Sequence, residues 1–455
     1  MVSTVASFVV VLGVLIFIHE LGHFVVAKWS GVGVDRFSLG FGPVLFSIRR
    51  GETEYCISAV PLGGYVKMMG EESPMEGGGS AVVDSAKAFA GKPVWQRFLI
   101  VFAGPGMNFV LAALLVMGLF MVLGRPGVPS VVGRVEQGSP AAQAGLQSGD
   151  RIIAVDGQPI VQWEELVERL QEEGGGGTIQ VTVRRQDAER KVALTPVKLK
   201  VRDLFGDEKS IWEIGARPYA PARVGEVVPG RPAARAGLKA GDIVVALDGR
   251  PILDFEELAD IIYKRPGQTT LLTVERNGER LDIMVVPELG KLPYPGGEDR
   301  EVGQIGIGRA APSAVYVRSN PVTAIGQAVI WTSQITSFVL WSLWKLVTRQ
   351  IAASNIGGPI QIAVAAGQQA RLGLEHLILF TAGISVNLAV LNLLPIPMLD
   401  GGHLLFFIIE AIIGRPLSVR KREIAQQVGF FFLMLLMVFA VYNDLSRIDL
   451  FRFLK

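Results

Sequence analysis

His19, Glu20 and His23 carry the most plainly written chemistry in this 455-residue chain. They stand as His19-Glu20-Leu21-Gly22-His23 inside a long apolar run that begins at Val5. Two histidines four residues apart fall on one face of a helix, where both imidazoles reach a single zinc ion. The glutamate beside the first can then act as a base toward a water held there. The chain has only four histidines, so this spacing around a glutamate is not an accident of composition. Ionisable groups within a membrane span are costly and mark function. The pattern therefore predicts a zinc hydrolase site inside the bilayer rather than a signal anchor with incidental polar residues.

A catalytic zinc takes three protein ligands and leaves a fourth position for water. Candidates for the third lie far downstream, in Asn392-Leu393-Leu394-Pro395-Ile396-Pro397-Met398-Leu399-Asp400-Gly401-Gly402-His403. Pro395 and Pro397 break a helix and extend the backbone. Irregular backbone at membrane depth is tolerated where it is buried in protein or lines a wet cavity. A new helical stretch is expected from Gly402 to Ile413. Asp400 at its start is either a metal ligand or an ordinary N-cap, and His403 competes with it for the third position.

These residues need spans to hold them. Half the residues are hydrophobic, and mean hydropathy is +0.40. Four stretches read as spans: Val5 to Val26, Phe98 to Gly124, His376 to Leu394 and Val428 to Tyr442. The second is uncharged for 27 residues, about 40 Å as a helix and long enough to cross with tilt. The first is expected to stay uncleaved, because it lacks a basic leading region. A net charge of +2 argues against a nucleic-acid partner. Cys56 stands alone, which excludes an internal disulfide and a multi-cysteine zinc site.

Lysine and arginine orient the spans. Lys28, Arg36, Arg49 and Arg50 follow the first, and Arg415, Arg420, Lys421 and Arg422 follow the third. The positive-inside rule places both connections in the cytoplasm and both termini outside. The long segment from Arg125 to Arg371 then lies outside as well, which in a bacterium is the periplasm.

That segment repeats itself. Val132-Gly133 opens a stretch containing Gly-Ser-Pro-Ala-Ala-Gln-Ala-Gly-Leu-Gln-Ser-Gly-Asp and Ala-Val-Asp-Gly-Gln-Pro-Ile. Val224-Gly225 opens its partner, in step and without a gap through Glu164-Glu165-Leu166 and Glu256-Glu257-Leu258. Each copy reads as strand, short Ala-rich helix, strand, Asp-Gly hairpin turn, and an amphipathic helix from Trp163 or Phe255. Two copies are too few for a solenoid, so they read as tandem small domains. The pattern resembles the PDZ domain, which captures an extended peptide or a C-terminus at a sheet edge. Ile214-Gly215-Ala216 and Ile305-Gly306-Ile307 resemble its carboxylate-loop strands. The bland reading is that both domains are spacers; a filter against bulky ectodomains falls between. Gly174 to Gly177 reads as a loop.

Taken together, His-Glu-Leu-Gly-His in the first span and Asn-Leu-Leu-Pro-Ile-Pro-Met-Leu-Asp-Gly after the third resemble the site-2 protease family of intramembrane zinc metalloproteases. Phe37-Ser38-Leu39-Gly40-Phe41-Gly42 and Pro61-Leu62-Gly63-Gly64-Tyr65-Val66-Lys67 extend the likeness over nearly the whole chain. The resemblance implies that His19, His23 and Asp400 bind one zinc ion and that Glu20 is the base. It also implies a substrate-contact or oxyanion role for Asn387 and Asn392. Gly40 to Lys67 resembles a membrane-dipping β-hairpin on the cytoplasmic side, where a substrate strand adds to an edge. Gly104-Pro105-Gly106-Met107-Asn108-Phe109 departs from the family pattern near a helix-packing surface, which leaves the implied chemistry as it stands.

The expected fold is a polytopic α-helical membrane protein with four transmembrane helices, a membrane-associated β-hairpin region and two tandem PDZ-like α+β domains. Its parts are the first span with the zinc motif (1–27), the β region (28–96), the second span (97–124), domains at 125–205 and 206–312, and an outer region (313–375). The third span (376–398), the third-ligand motif with a cytoplasmic loop (399–425) and the fourth span (426–448) complete it. With the placement of the outer domains, the resemblance implies as substrate a single-span membrane protein of the anti-sigma-factor kind, in the bacterial inner membrane, already shortened on its outer side. The expected active site lies near the cytoplasmic side. A membrane-anchored PDZ scaffold with a structural metal is the competing class, but it has no use for Glu20.

Overall fold

The computed structural model describes residues 2–70, 87–173, 177–202, 207–292, 300–310 and 314–447, so 174–176 of the expected glycine loop lie outside it. The chain forms two compact units, Met1–Gly124 with Arg318–Lys455, and Arg125–Val317.

In the first unit the helices are α1 (Val2–Trp29), α2 (Val94–Val122), α3 (Pro321–Val347), α4 (Pro359–Leu372), α5 (Leu374–Asn392), α6 (Asp400–Ile413) and α7 (Val419–Arg447). Four of these, α1, α2, α5 and α7, are long and apolar enough to cross a membrane; α1 and α7 contain the stretches read from the sequence, while α2 and α5 end at Val122 and Asn392, short of the expected Gly124 and Leu394. Their apolar residues run round the whole circumference, as suits a helix whose outer face meets lipid rather than water. Ala112, Val116, Leu119 and Phe120 of α2 are buried against Ala382, Val386 and Val390 of α5. Small residues at such a crossing let backbones approach closely.

Between α1 and α2 the chain forms one antiparallel hairpin, β1 (Val34–Arg50) with β2 (Thr53–Met68), broken by several register shifts. Phe24 of α1 packs edge-on to Phe37 and Tyr55, at centroid distances of 5.4 and 5.9 Å, and so seats the hairpin on the helix. Further out, Val44, Leu45, Phe46 and Ile48 stay exposed.

The region 313–375, expected only as an outer connection, holds two helices. α3 buries Ala324 and Ala328 and packs Trp331, Ile335 and Val339 beside α2 and α5. Its other side exposes Ile325, Val329, Phe338, Trp341 and Trp344. α4 crosses α1 at Gly367, where a β-carbon would fall 2.6 Å from Thr4 Oγ1. Asp444, near the end of α7, accepts from the backbone N–H groups of Gly358, Ile360 and Gln361 at 2.8, 3.0 and 3.1 Å, capping α4 from another helix.

In the second unit the repeat is structural as well as sequential. Strands Arg151–Val155 and Ile243–Leu247 turn at Asp156-Gly157 and Asp248-Gly249, all four residues at positive φ, the conformation that a two-residue hairpin demands. Helices Trp163–Glu173 and Phe255–Tyr263 follow in the same places. Strand Ala216–Pro218 pairs with Val132–Val135, as Ile307–Arg309 pairs with Ala222–Val227. Ile214 and Ala216 are buried with Val132, Trp163 and Leu166. The boundary expected at 205 is therefore too early, since the strand that closes the first core comes after it. Sequence adjacency suggested otherwise because the closing strand immediately precedes the second copy.

Each repeat carries the same buried charge clamp. Arg185 grips Asp150 through two bonds of 2.6 and 2.7 Å and donates to the Gly145 carbonyl at 2.8 Å. Arg276 grips Asp242 at 2.7 and 2.7 Å and donates to the Gly237 carbonyl at 2.9 Å. Burial pushes both carboxyls up, but arginine and a backbone N–H outweigh it and hold both below the ordinary carboxylate value. Such a group stabilises the fold fully above its unfolded pKa and loses that contribution as pH falls through the folded one. The protection of strand 151–155 against hydrogen exchange in the full chain, taken relative to the intrinsic rate at each pH, is therefore expected to fall below about pH 4. Asp150→Ala should remove about 2 kcal/mol at neutral pH and flatten this acid dependence.

Candidate metal centre

α1 is continuous through the motif, so His19 and His23 lie one turn apart on one face. Their Nε2 atoms are 3.2 Å apart, and both residues are buried. Asp400 opens α6 and brings Oδ2 to 3.1 Å from His19 Nε2 and Oδ1 to 3.6 Å from His23 Nε2. At zinc–nitrogen distances of about 2.0–2.1 Å, two ligands of a tetrahedron stand about 3.3 Å apart. All three separations lie near that edge length, so this donor set fits zinc. It is also the one cluster of three potential metal ligands among the described residues.

Of the two candidates for the third position, Asp400 is the one whose carboxylate lies with both imidazoles. Leu399, with extended backbone, occupies the N-cap of α6. His403 turns toward Phe406 and lines a separate cavity with Arg97, Phe407 and Glu410. Gly401 and Gly402 let the first turn of α6 fold back on the loop, since a β-carbon on either would meet the carbonyl of Leu394 or Ile396 within 2.5 Å. Arg97 of α2 pairs with both oxygens of Glu410 at 3.2 and 2.6 Å, its guanidinium 5.1 Å from the Phe407 ring centre. That pair ties α6, and with it Asp400, to α2.

α2 is itself part of the site. Gly104 faces the ligands, and a β-carbon there would lie 2.2 Å from His23 Nε2 and 2.9 Å from His19 Nε2. Gly22 makes the reciprocal concession, its β-carbon position falling 2.3 Å from the Ala103 carbonyl oxygen. The Ile100 carbonyl lies 2.9 Å from His23 Nδ1. A carbonyl only accepts, so Nδ1 carries the proton and Nε2 keeps its lone pair for a metal. The stretch around Gly104, expected as a helix-packing surface, is thus also one wall of the site. What hid it is that glycine announces nothing in a sequence until the side chains opposite are known.

Glu20 is half-buried beside His19, and its Cγ lies 3.1 Å from where a β-carbon on Gly64 of β2 would stand. Asn387 and Asn392 are half-buried on α5, the latter its last residue. The two proposed peptide loops are equivalent in the two repeats. Gly215 and Gly306 have φ of +71° and +78°, and their carbonyls accept from Glu136 and Val228 N–H, each at 2.9 Å. Ile305, Gly306 and Ile307 line a groove of about 180 Å³ with Phe255, Leu258, Ala259 and Ile262.

Gly104→Ala is expected to lower zinc affinity at least about 100-fold, measured by chelator competition on the purified protein. Gly118→Ala, on the same helix with open space at its β-carbon position, should bind zinc as the parent does.

The profile of Peptidase family M50 matches residues 7–436. Regulator of sigma-E protease RseP of Escherichia coli (strain K12) is 38% identical over 459 residues, covering 97% of this chain and 98% of the relative. Protease RseP of Yersinia pestis is 36% identical over 461 residues, covering 98% and 99%. Among solved structures, the PDZ domain of the SdrC-like protein from Listeria monocytogenes aligns with 20% of this chain and 86% of its own, at 23% identity and a TM-score of 0.16. Similarity runs nearly end to end, and His19, His23 and Asp400 all fall inside the matched stretch: the chain belongs to peptidase family M50.

Proposed function

We propose that this protein is an intramembrane zinc endopeptidase that cuts the transmembrane segment of single-span membrane proteins. The observation that carries the reading is the His19–His23–Asp400 cluster, with both histidines and Glu20 on a helix long and apolar enough to span and Asp400 at the start of α6. Bound zinc supplies Lewis acidity at the cluster. Glu20 then takes the proton from the attacking water and passes it to the leaving amine. Asn387 or Asn392 donates to the oxyanion as charge develops on the scissile carbonyl. A helical substrate hides its carbonyls, so it must be opened first, and the β1–β2 hairpin offers strand edges to satisfy the freed backbone groups.

The similarity to a regulator of sigma-E protease supports an anti-sigma-factor-like substrate, trimmed on its outer side, in envelope stress signalling. The arginine and lysine distribution supports a bacterial inner-membrane location, with both termini and the repeated domains periplasmic and the active site toward the cytoplasm. The two repeats act as tandem PDZ-like domains that gate substrate by size or by a new C-terminus, using Ile214-Gly215-Ala216 and Ile305-Gly306-Ile307.

Glu20→Gln is expected to cut cleavage of a tagged single-span substrate at least about 100-fold while retaining zinc; equal cleavage by both proteins would sink the assignment. Ala259→Trp, which fills the groove of the second repeat, tests the gate. Discrimination between trimmed and untrimmed substrate should fall if a peptide binds there, and stay unchanged if the domains act by bulk alone.

A further inference from the structure

Asn108 lies on α2, is wholly buried, and brings its side-chain amide to 3.3 Å from His19 Nδ1. That is the ring nitrogen opposite the one facing Asp400 and His23. Among the described residues, Asn108 Oδ1 is the one buried side-chain polar atom without a hydrogen-bond partner. As placed, the amide turns its NH2 group toward the histidine and leaves its carbonyl oxygen idle.

That orientation suits His19 only while its proton sits on Nε2. A histidine that offers a metal its Nε2 lone pair in the neutral form carries the proton on Nδ1. An N–H facing an NH2 group is two donors without an acceptor. A half-turn of the amide about its last bond exchanges its two ends and puts Oδ1 where Nδ1–H needs it. His23 has the same requirement, already met by the Ile100 carbonyl. Both ligands would then be held by α2, one through backbone and one through a side chain.

The support for Asn108 is itself buried. Ser385 of α5, with no exposed surface, donates to the Asn108 backbone carbonyl at 2.8 Å. α5 runs directly into the loop that delivers Asp400, so one bond links the height of Asn108 to the helix leading to the third ligand. An amide with only a structural role between two apolar helices would be poorly used here, since its idle oxygen is desolvated for nothing.

We infer that Asn108 is the positioning residue for His19: its side-chain oxygen accepts from Nδ1–H and fixes the metal-binding tautomer. The inference rests on the zinc reading above, and its test separates the two. Zinc affinity is measured by chelator competition on the full-length protein in detergent, for wild type, Asn108→Leu and Asn108→Asp, with the ligand-field spectrum of the cobalt-substituted proteins alongside. Leucine has a similar shape and no acceptor; aspartate accepts but cannot donate. The expected result is a 10- to 100-fold loss of affinity in the leucine variant with an altered cobalt spectrum, and affinity within a few-fold of wild type for aspartate. Wild-type affinity in the leucine variant overturns the inference, as does an aspartate variant as weak as the leucine one. If the leucine variant does not fold, the aspartate variant decides alone. Failure of wild type itself to bind zinc overturns the metal site, and this inference with it.

Discussion

How closely α1 and α2 can approach governs this site. His19, His23 and Asp400 must meet in a region where unsatisfied polar groups are costly, and helices with ordinary side chains at the crossing would stand too far apart. Gly22 against the Ala103 carbonyl and Gly104 against the two imidazoles remove that obstacle. Once the backbones touch, the carbonyl of Ile100 comes within reach of a ligand ring. Close packing and ligand orientation are thus one event. The Arg97–Glu410 pair and the Gly401-Gly402 turn complete the arrangement from the third side.

Much of this was legible from residues alone, for identifiable reasons. Histidines at helical spacing around a glutamate carry their geometry with them, because the helix period is fixed. The paired Asp-Gly turns and the alternating strands around them were equally readable, since those turns require positive φ. Local pattern left Asp400 and His403 open as candidates; which of them stands beside the two imidazoles depends on how α6 folds back, a matter of tertiary contact.

Other features left no local signal. α3 was missed because Gln327, Ser333, Gln334 and Lys345 interrupt its apolar run, yet its Ala324 and Ala328 face still packs beside two spans. The first repeated domain was cut short because its closing strand, Ala216–Pro218, follows a separate hairpin and pairs back to Val132–Val135. Gly104 and Asn108 were visible as residues but not as neighbours of histidines up to 89 positions away along the chain, a separation closed by the fold and not by any local period.

Gly64 brings the hairpin and the glutamate together, and this gives β2 the property of a ruler. Because the strand lies against Glu20, a peptide paired along the hairpin as proposed would have its position relative to Glu20 set by register rather than by side-chain identity. Alternate residues of a strand face opposite ways, so a slip of one residue turns every side chain over, whereas a slip of two restores the pattern. Alternative cut points in one substrate would then fall in steps of two residues, a spacing written into the pleat and independent of which amino acids flank the bond.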